Sequence, residues 1–321
     1  MGHKFKSFLA GSAVALALGG ATAAEAQSRP PTPPRTPSRW FQGSRGGAAR
    51  IDTLVPFSAN GSVELGLISG SIKVTAWNRN EARVVASATD GGALDFDATG
   101  SHIDLSVHHN WSDRHGSATY EVTVPMGARI TVSAVSGTIS ATGVHGGIDA
   151  SSVSGSVSVR DAGANVAIEN VSGDITAIGI AGDVKVEAVS GNVRVSNVTG
   201  TVSAENVSGN IDVSNVRGTR VRANSVSGNV DFAGAMNPAG RYDFETHSGR
   251  TVLQLGGGTA ATITVNTHSG SVTNEYPGAV SRSESDTDDG QTSYRYTIGR
   301  GDARVSIETF SGRVQISQED R

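Results

Sequence analysis

Glu169, Glu187 and Glu205 stand eighteen residues apart, and each is followed by Asn or Ala and then Val-Ser-Gly. If eighteen residues make one turn of a stacked β structure, these carboxylates form an outward column spaced by about 4.8 Å. Unit charges that close repel by roughly 0.9 kcal/mol in water. Either neighbouring cations relieve the column or a bound cation does. Lys185 and Arg222 fall one outward position away, so the expected state is a solvated, internally relieved face. Glu169, Glu187 and Glu205 are carried as a candidate cation or ligand column, with no cofactor expected.

Other constellations carry less. Arg194, Asp212 and Asp231 form a similar outward column, and two carboxylates near 5 Å match the separation used by retaining glycosidases, about 5–5.5 Å. Arg194 beside Asp212 would hold that carboxylate ionised, and a flat ladder implies no cleft, so no catalytic residue is assigned. The stretch "HHNWSDRH" offers His108, His109, Asp113 and His115, but adjacent residues on a strand point to opposite faces. A polar hairpin loop is the expected reading there. His247 and His268 occupy equivalent turns where a third copy has Phe310, which favours aromatic packing over ligation. No Gly-x-Ser-x-Gly elbow is present, and the calcium β-roll signature, with its repeated Gly-Gly-x-Gly-x-Asp, is missing.

The elements that must hold these columns are plain in the spacing. From Val135 the chain reads in nines: VSGTISATG, VHGGIDASS, VSGSVSVRD, AGANVAIEN, VSGDITAIG, IAGDVKVEA, VSGNVRVSN, VTGTVSAEN, VSGNIDVSN. Positions one, five and seven are Val, Ile or Ala and are expected to face inward. Positions four, six and eight are mostly polar, and this alternation predicts strands with one buried face. Position three is Gly in nearly every unit, where the backbone needs a geometry that a side chain resists. Asn, which also tolerates the left-handed region, recurs at position nine. Because the strict Val-Ser-Gly form returns at 135, 153, 171, 189 and 207, the true unit is eighteen, with two similar halves. That predicts an all-β, single-stranded β-solenoid of about eighteen residues per coil with two main faces; a three-sided coil fits the same length. One such coil cannot bury enough apolar surface to fold alone, so the repeats must stack.

The most regular repeats cover 135–233, with 51–317 as one solenoid domain and 318–321 as a tail. Both flanks repeat less strictly. "SANGSVELGLISGSIKVTAWNRNEARVVASA" has its own Ser-Gly turn, and "YDFETHSGRTVLQL", "ITVNTHSGSVTNEY" and "VSIETFSGRVQIS" give three copies of Thr-His/Phe-Ser-Gly. Wider coils or strands capping each end are expected there, with the larger aromatics covering open strand edges.

Residues 1–26 read as a secretory signal peptide, with Lys4 and Lys6, an apolar stretch, and Ala24-Glu25-Ala26 as the small-x-small cleavage site. Residues 27–50 follow as a Pro-rich tether, "RPPTPPRTPSR" holding five of the nine prolines. No later stretch has the length of apolar sequence that a membrane-spanning helix needs. With no cysteine, neither a disulfide nor a lipid anchor on cysteine is available. A net charge of −4 leaves no basic footprint for nucleic acid.

The order of features, "VPFSANGSVELGLISGSIKVTAWNRNEARV", then the Val-Ser-Gly ladder, then "THSGRTVLQL…NTHSGSVT…YTIGRGDARVSIETFSGRVQIS", resembles the bacterial putative-adhesin family of exported β-solenoid proteins. That family is largely without assigned function. The resemblance spans about 51–317 and implies an all-β solenoid in the periplasm or at the cell surface, with no catalytic residues to carry over. The expected function is therefore a non-enzymatic binding or structural module of the cell envelope, with a polysaccharide or a protein as partner. A polysaccharide-cleaving β-helix enzyme is the alternative, and an envelope-stress signalling component acting through a protein is a third reading.

Overall fold

Every regular element among the described residues is a β-strand. The computed structural model describes residues 39–42, 49–89, 92–108, 117–286 and 291–319. They belong to one unit of the chain, Ser38–Arg321; the other, Met1–Pro37, holds the expected signal peptide and lies outside the described residues, as does most of the expected tether.

The chain enters through β1 (Arg39–Gln42) and β2 (Ala49–Pro56) and then runs the long β3 (Ser62–Trp77). β4 (Glu81–Ala88), β5 (Ala93–Ala98), β6 (His102–His108) and β7 (Ala118–Pro125) precede a second long strand, β8 (Arg129–Thr142). The regular middle follows: β9 (Ile148–Ser154), β10 (Val157–Arg160), β11 (Val166–Ser172), β12 (Ile175–Ile180), β13 (Val184–Ser190), β14 (Val193–Val198), β15 (Val202–Ser208), β16 (Ile211–Val216), β17 (Arg220–Ser227) and β18 (Val230–Gly234). β19 (Arg241–Leu255), β20 (Ala261–Thr267), β21 (Ser271–Asn274), β22 (Val280–Asp286), β23 (Gln291–Ile298) and β24 (Ala303–Gln318) complete the described part.

In the middle, each strand pairs in parallel with the strand two places along. Val184 sits beside Val202, and Val193 beside Ile211, so the repeat is eighteen and each coil contributes one strand to each of two ladders. The two-faced reading holds. The next step adds one residue, Val202 meeting Val221 and Ile211 meeting Val230. β3, β8, β19 and β24 each cross both ladders, one half in each.

The flanks carry the expected wider coils and capping strands. β6 and β7 continue both ladders beside β3, β20 and β21 do so beside β24, and antiparallel strands are added to them. At the N-terminal end β7 pairs antiparallel with β4, which pairs antiparallel with β2, while β6 pairs with β5 and β5 with β1 in the same sense. At the other end β20 pairs antiparallel with β23, and β23 with β22. The three Thr-His/Phe-Ser-Gly copies also stack out of chain order, because β24 lies between β19 and β20. Antiparallel strands extend both ladders at the N-terminal end and one at the C-terminal end, where β21 ends the other in parallel. Charged residues such as Arg282 on the outer β22 discourage further edge pairing.

The core between the ladders is thin. In one coil it consists of Val184, Val186 and Ala188 from β13 and Val193, Val195 and Val198 from β14, all buried. One expectation is corrected here: the valine of Val-Ser-Gly does not face inward. Strand alternation counted from Val184 puts Ala188 inside and Val189 outside, and Val135, Val153, Val207 and Val226 are 40–53% exposed. Its place inside is taken by the residue before it: Ser152, Asn170, Ala188, Asn206 or Ser225. Position nine of the Val-Ser-Gly half does take the left-handed region, at Asn197 (φ 56°) and Asn215 (φ 53°). Larger side chains fill the core beyond the middle, where Phe232 packs against Tyr242 and Phe244 with ring centroids 5.5 and 5.6 Å apart.

Candidate functional site

The corner between the ladders carries the most regular chemistry. At Gly191 φ is 119°, and a Cβ there would run into the carbonyl oxygen of Gly173 one coil earlier, so the corner stays without side chains at this position. Turning there breaks the ladder and leaves glycine carbonyls to be satisfied from inside. Asn206 Nδ2 donates to Gly191 O (2.8 Å), and Asn170 Nδ2 donates to both Gly155 O (2.9 Å) and Gly173 O (3.2 Å). Because Asn170 already serves Gly173, the coil between can carry Ala188 at that position.

Three rows of side chains run along the outside of this corner. The first is apolar: Ile68, then the exposed valines. The second is serine, in register from Ser69 through Ser136, Ser154, Ser172, Ser190, Ser208, Ser227 and Ser248 to Ser311. The third is an amide chain in which Asn192 Nδ2 donates to Asp174 Oδ1 (3.1 Å), Asn210 Nδ2 to Asn192 Oδ1 (3.0 Å), and Asn229 Nδ2 to Asn210 Oδ1 (2.9 Å). Toward the C-terminal end the rows change character. The apolar row becomes three stacked rings, His247 and His268 on either side of Phe310, each 4.9 Å from it and within 11° of parallel. The amide row becomes a pair of arginines, with Asn229 Oδ1 accepting from the Arg250 backbone N–H (3.0 Å) and Arg250 beside Arg313. Aromatic packing, expected for His247, His268 and Phe310, is what the rings do.

The Toastrack DUF4097 family model matches residues 68–317, most of the chain and nearly all of the solenoid. The chain belongs to that family. Two solved structures resemble this Toastrack chain at low identity. A putative cell adhesion protein from Clostridium sporogenes ATCC 15579 is 10% identical, with 84% of this chain and 100% of that one covered and a TM-score of 0.24. A putative adhesin from Bacteroides fragilis NCTC 9343 is 12% identical, with 83% and 96% covered and a TM-score of 0.42. No curated protein matches the chain.

The Toastrack ladder brings the predicted glutamates together: Glu169 lies beside Glu187, and Glu187 beside Glu205. Lys185 Nζ bonds Glu187 Oε1 at 2.6 Å, and that hydrogen bond first, then the charges of Glu187, Glu169 and Glu205, push its pKa up. The same row runs on through Asn224 to Glu245 and Glu308. On the other ladder Asp212 lies beside Asp231, and Arg194 Nη2 meets Asp212 Oδ2 at 3.2 Å. Burial, and to a lesser extent Asp212, raises the Asp231 carboxyl, with Arg250 opposing. His109, Asp113 and His115 lie outside the described residues, as does the side chain of His108.

Sequence reading missed one cluster in the Toastrack fold. Pairing of β3 with β6 sets Glu64 beside Asp104 and Ser62 beside His102. Ligand atoms of Glu64, His102 and Asp104 all lie within 4.8 Å of one another, and Ser62 Oγ shares a hydrogen bond with His102 Nδ1 (2.9 Å). This mixed imidazole and carboxylate set has the donor types that hold divalent transition metals. Burial and then Glu64 raise the Asp104 carboxyl, against His102. Only the strand register reveals the cluster, since Glu64 and His102 are far apart in the chain and no fixed period links them.

Proposed function

We propose that this Toastrack chain is a non-enzymatic binding module of the cell envelope, exported by the segment read as a signal peptide. Its ligand is an extended polysaccharide lying along the Val-Ser-Gly corner. The observation that carries this reading is the serine row, in register over nine strands and flanked by an exposed apolar row. Sugars present hydroxyls and C–H faces in alternation, and the corner offers hydroxyls and valine methyls in adjacent lines. A polymer can engage many equivalent positions at once, so weak individual contacts add into useful affinity.

The test incubates the protein with purified peptidoglycan and a panel of surface polysaccharides, reading both retention and new reducing ends. Retention without new ends, lost when Ser190, Ser208 and Ser227 are replaced together by Glu, is the expected outcome. New reducing ends would replace this reading with hydrolysis and direct attention to Asp212 and Asp231. If neither appears, the partner is a protein, and crosslinking in the envelope becomes the search.

A further inference from the structure

We propose that the C-terminal end of the corner binds the acidic groups of an anionic polysaccharide, through Arg250 and Arg313. The inference rests on the corner being the polymer-binding surface and names the class of polymer. Register places Arg250 directly beside Arg313 on adjacent parallel strands, about 4.8 Å apart at the backbone. Both are exposed, and among the described residues neither makes an ion pair, although Arg83, Arg194, Arg241 and Arg300 each hold an aspartate. Asp231 feels the charge of Arg250 without forming an ion pair with it. Two like charges held side by side repel, and an anion bridging them removes that cost.

Their surroundings suit such an anion. A shallow groove of about 710 Å³ is lined by both arginines, Asn229, Ser269 and Ser271, with Gly249, Gly270 and Gly312 leaving its floor as bare backbone. Guanidinium groups take carboxylate, sulfate or phosphate oxygens in a fork, the strongest class of hydrogen bond available to a side chain. Directly alongside, the stacked rings of His247, Phe310 and His268 offer an apolar edge to a sugar ring. Serines 248, 311 and 269 lie between rings and arginines. The whole chain carries a net charge of −4, so a polyanion has no general attraction to it and must be held locally.

The probe is polygalacturonate, compared with its fully methyl-esterified form, which has the same backbone and no charge. The acid form should be retained and the ester released. Raising salt from about 0.1 M to about 1 M, which shortens the screening length from about 10 Å to about 3 Å, should release the acid form too. Arg250→Gln and Arg313→Gln should each weaken retention about tenfold, the worth of one charged hydrogen bond, with melting temperature unchanged. Equal retention of both forms, or undiminished retention by the double variant, overturns the anion proposal and leaves the corner reading standing. Retention of neutral polysaccharides alone does the same. Retention of nothing in the panel overturns both.

Discussion

The buried amides of Asn170 and Asn206 show how one side chain underwrites a corner. Each lies inside, where water cannot replace it, and donates to glycine carbonyls that the turn removes from the ladder. Leaving one buried carbonyl unpaired costs about 1–3 kcal/mol. Asn170→Ala unpairs two glycine carbonyls, and Asn206→Ala unpairs the Gly191 carbonyl and the Ser208 N–H that Asn206 Oδ1 accepts (3.3 Å), so the two substitutions should destabilise the protein by similar amounts. Urea unfolding of the two variants measures the ratio. A loss for Asn206→Ala about half that for Asn170→Ala would mean that the longer Ser208 bond, at 3.3 Å, contributes nothing. The tolerance of Ala188 has the same origin, and a sequence pattern that shows Asn, Ala and Asn at equivalent positions gives no hint of it.

Columns are the element-scale consequence of parallel strands in exact-length repeats: whatever one coil carries, its neighbour carries beside it. The glutamate column is relieved within the ladder, Lys185 holding Glu187 at its centre. Millimolar calcium should therefore leave the melting temperature unchanged; a rise would show that the column takes a cation instead. Further along the row relief is weaker. Glu308 lies exposed on its strand, yet partial burial first, then Glu245 and Asp243, raise its carboxyl, with Arg222 opposing. Asp104 and Asp231 are raised as well, each first by burial. A carboxyl whose folded pKa lies above its unfolded value holds more protons when folded between the two values. Its stabilisation is complete below the unfolded pKa and is lost as pH rises through the folded one. For these groups melting temperature should thus be higher near pH 4, close to their unfolded values, than near pH 7.5, by a few degrees at most because they are partly solvated. Glu308→Gln should raise the value near pH 7.5 and narrow the gap, which a melting series across pH reads directly.

At the scale of the whole molecule, what the sequence revealed and what it hid separate along one line. The eighteen-residue period exposed the coil, the two ladders and the columns of Glu169, Glu187 and Glu205, because parallel register copies chain spacing into space. Facing at the corner was hidden, since Val189 is as apolar as Val193 and only counting along β13 shows which of them points out. The ends were hidden too: antiparallel pairing of β4 with β7, the insertion of β24 between β19 and β20, and the Glu64–His102–Asp104 cluster all depend on long crossovers without a period. A deletion tests the line itself. Removing residues 189–206 takes out one complete coil and joins Ala188 to Val207, so that β13 inherits the partners of β15 and both ladders close. That variant should fold with full β content and a single melting transition, since a stacked repeat contacts only its neighbours. Removing residues 189–197 takes out one strand and leaves the ladders out of step by a face, with Ile175 and Ile211 deprived of the strand between them. It should lose the cooperative transition or aggregate, because the missing strand leaves unpaired backbone on both sides of the gap. Circular dichroism and thermal melting of the two deletions decide the matter. Equal behaviour of both would mean that the ladders slip by half a coil, and that nine residues, not eighteen, is the structural unit.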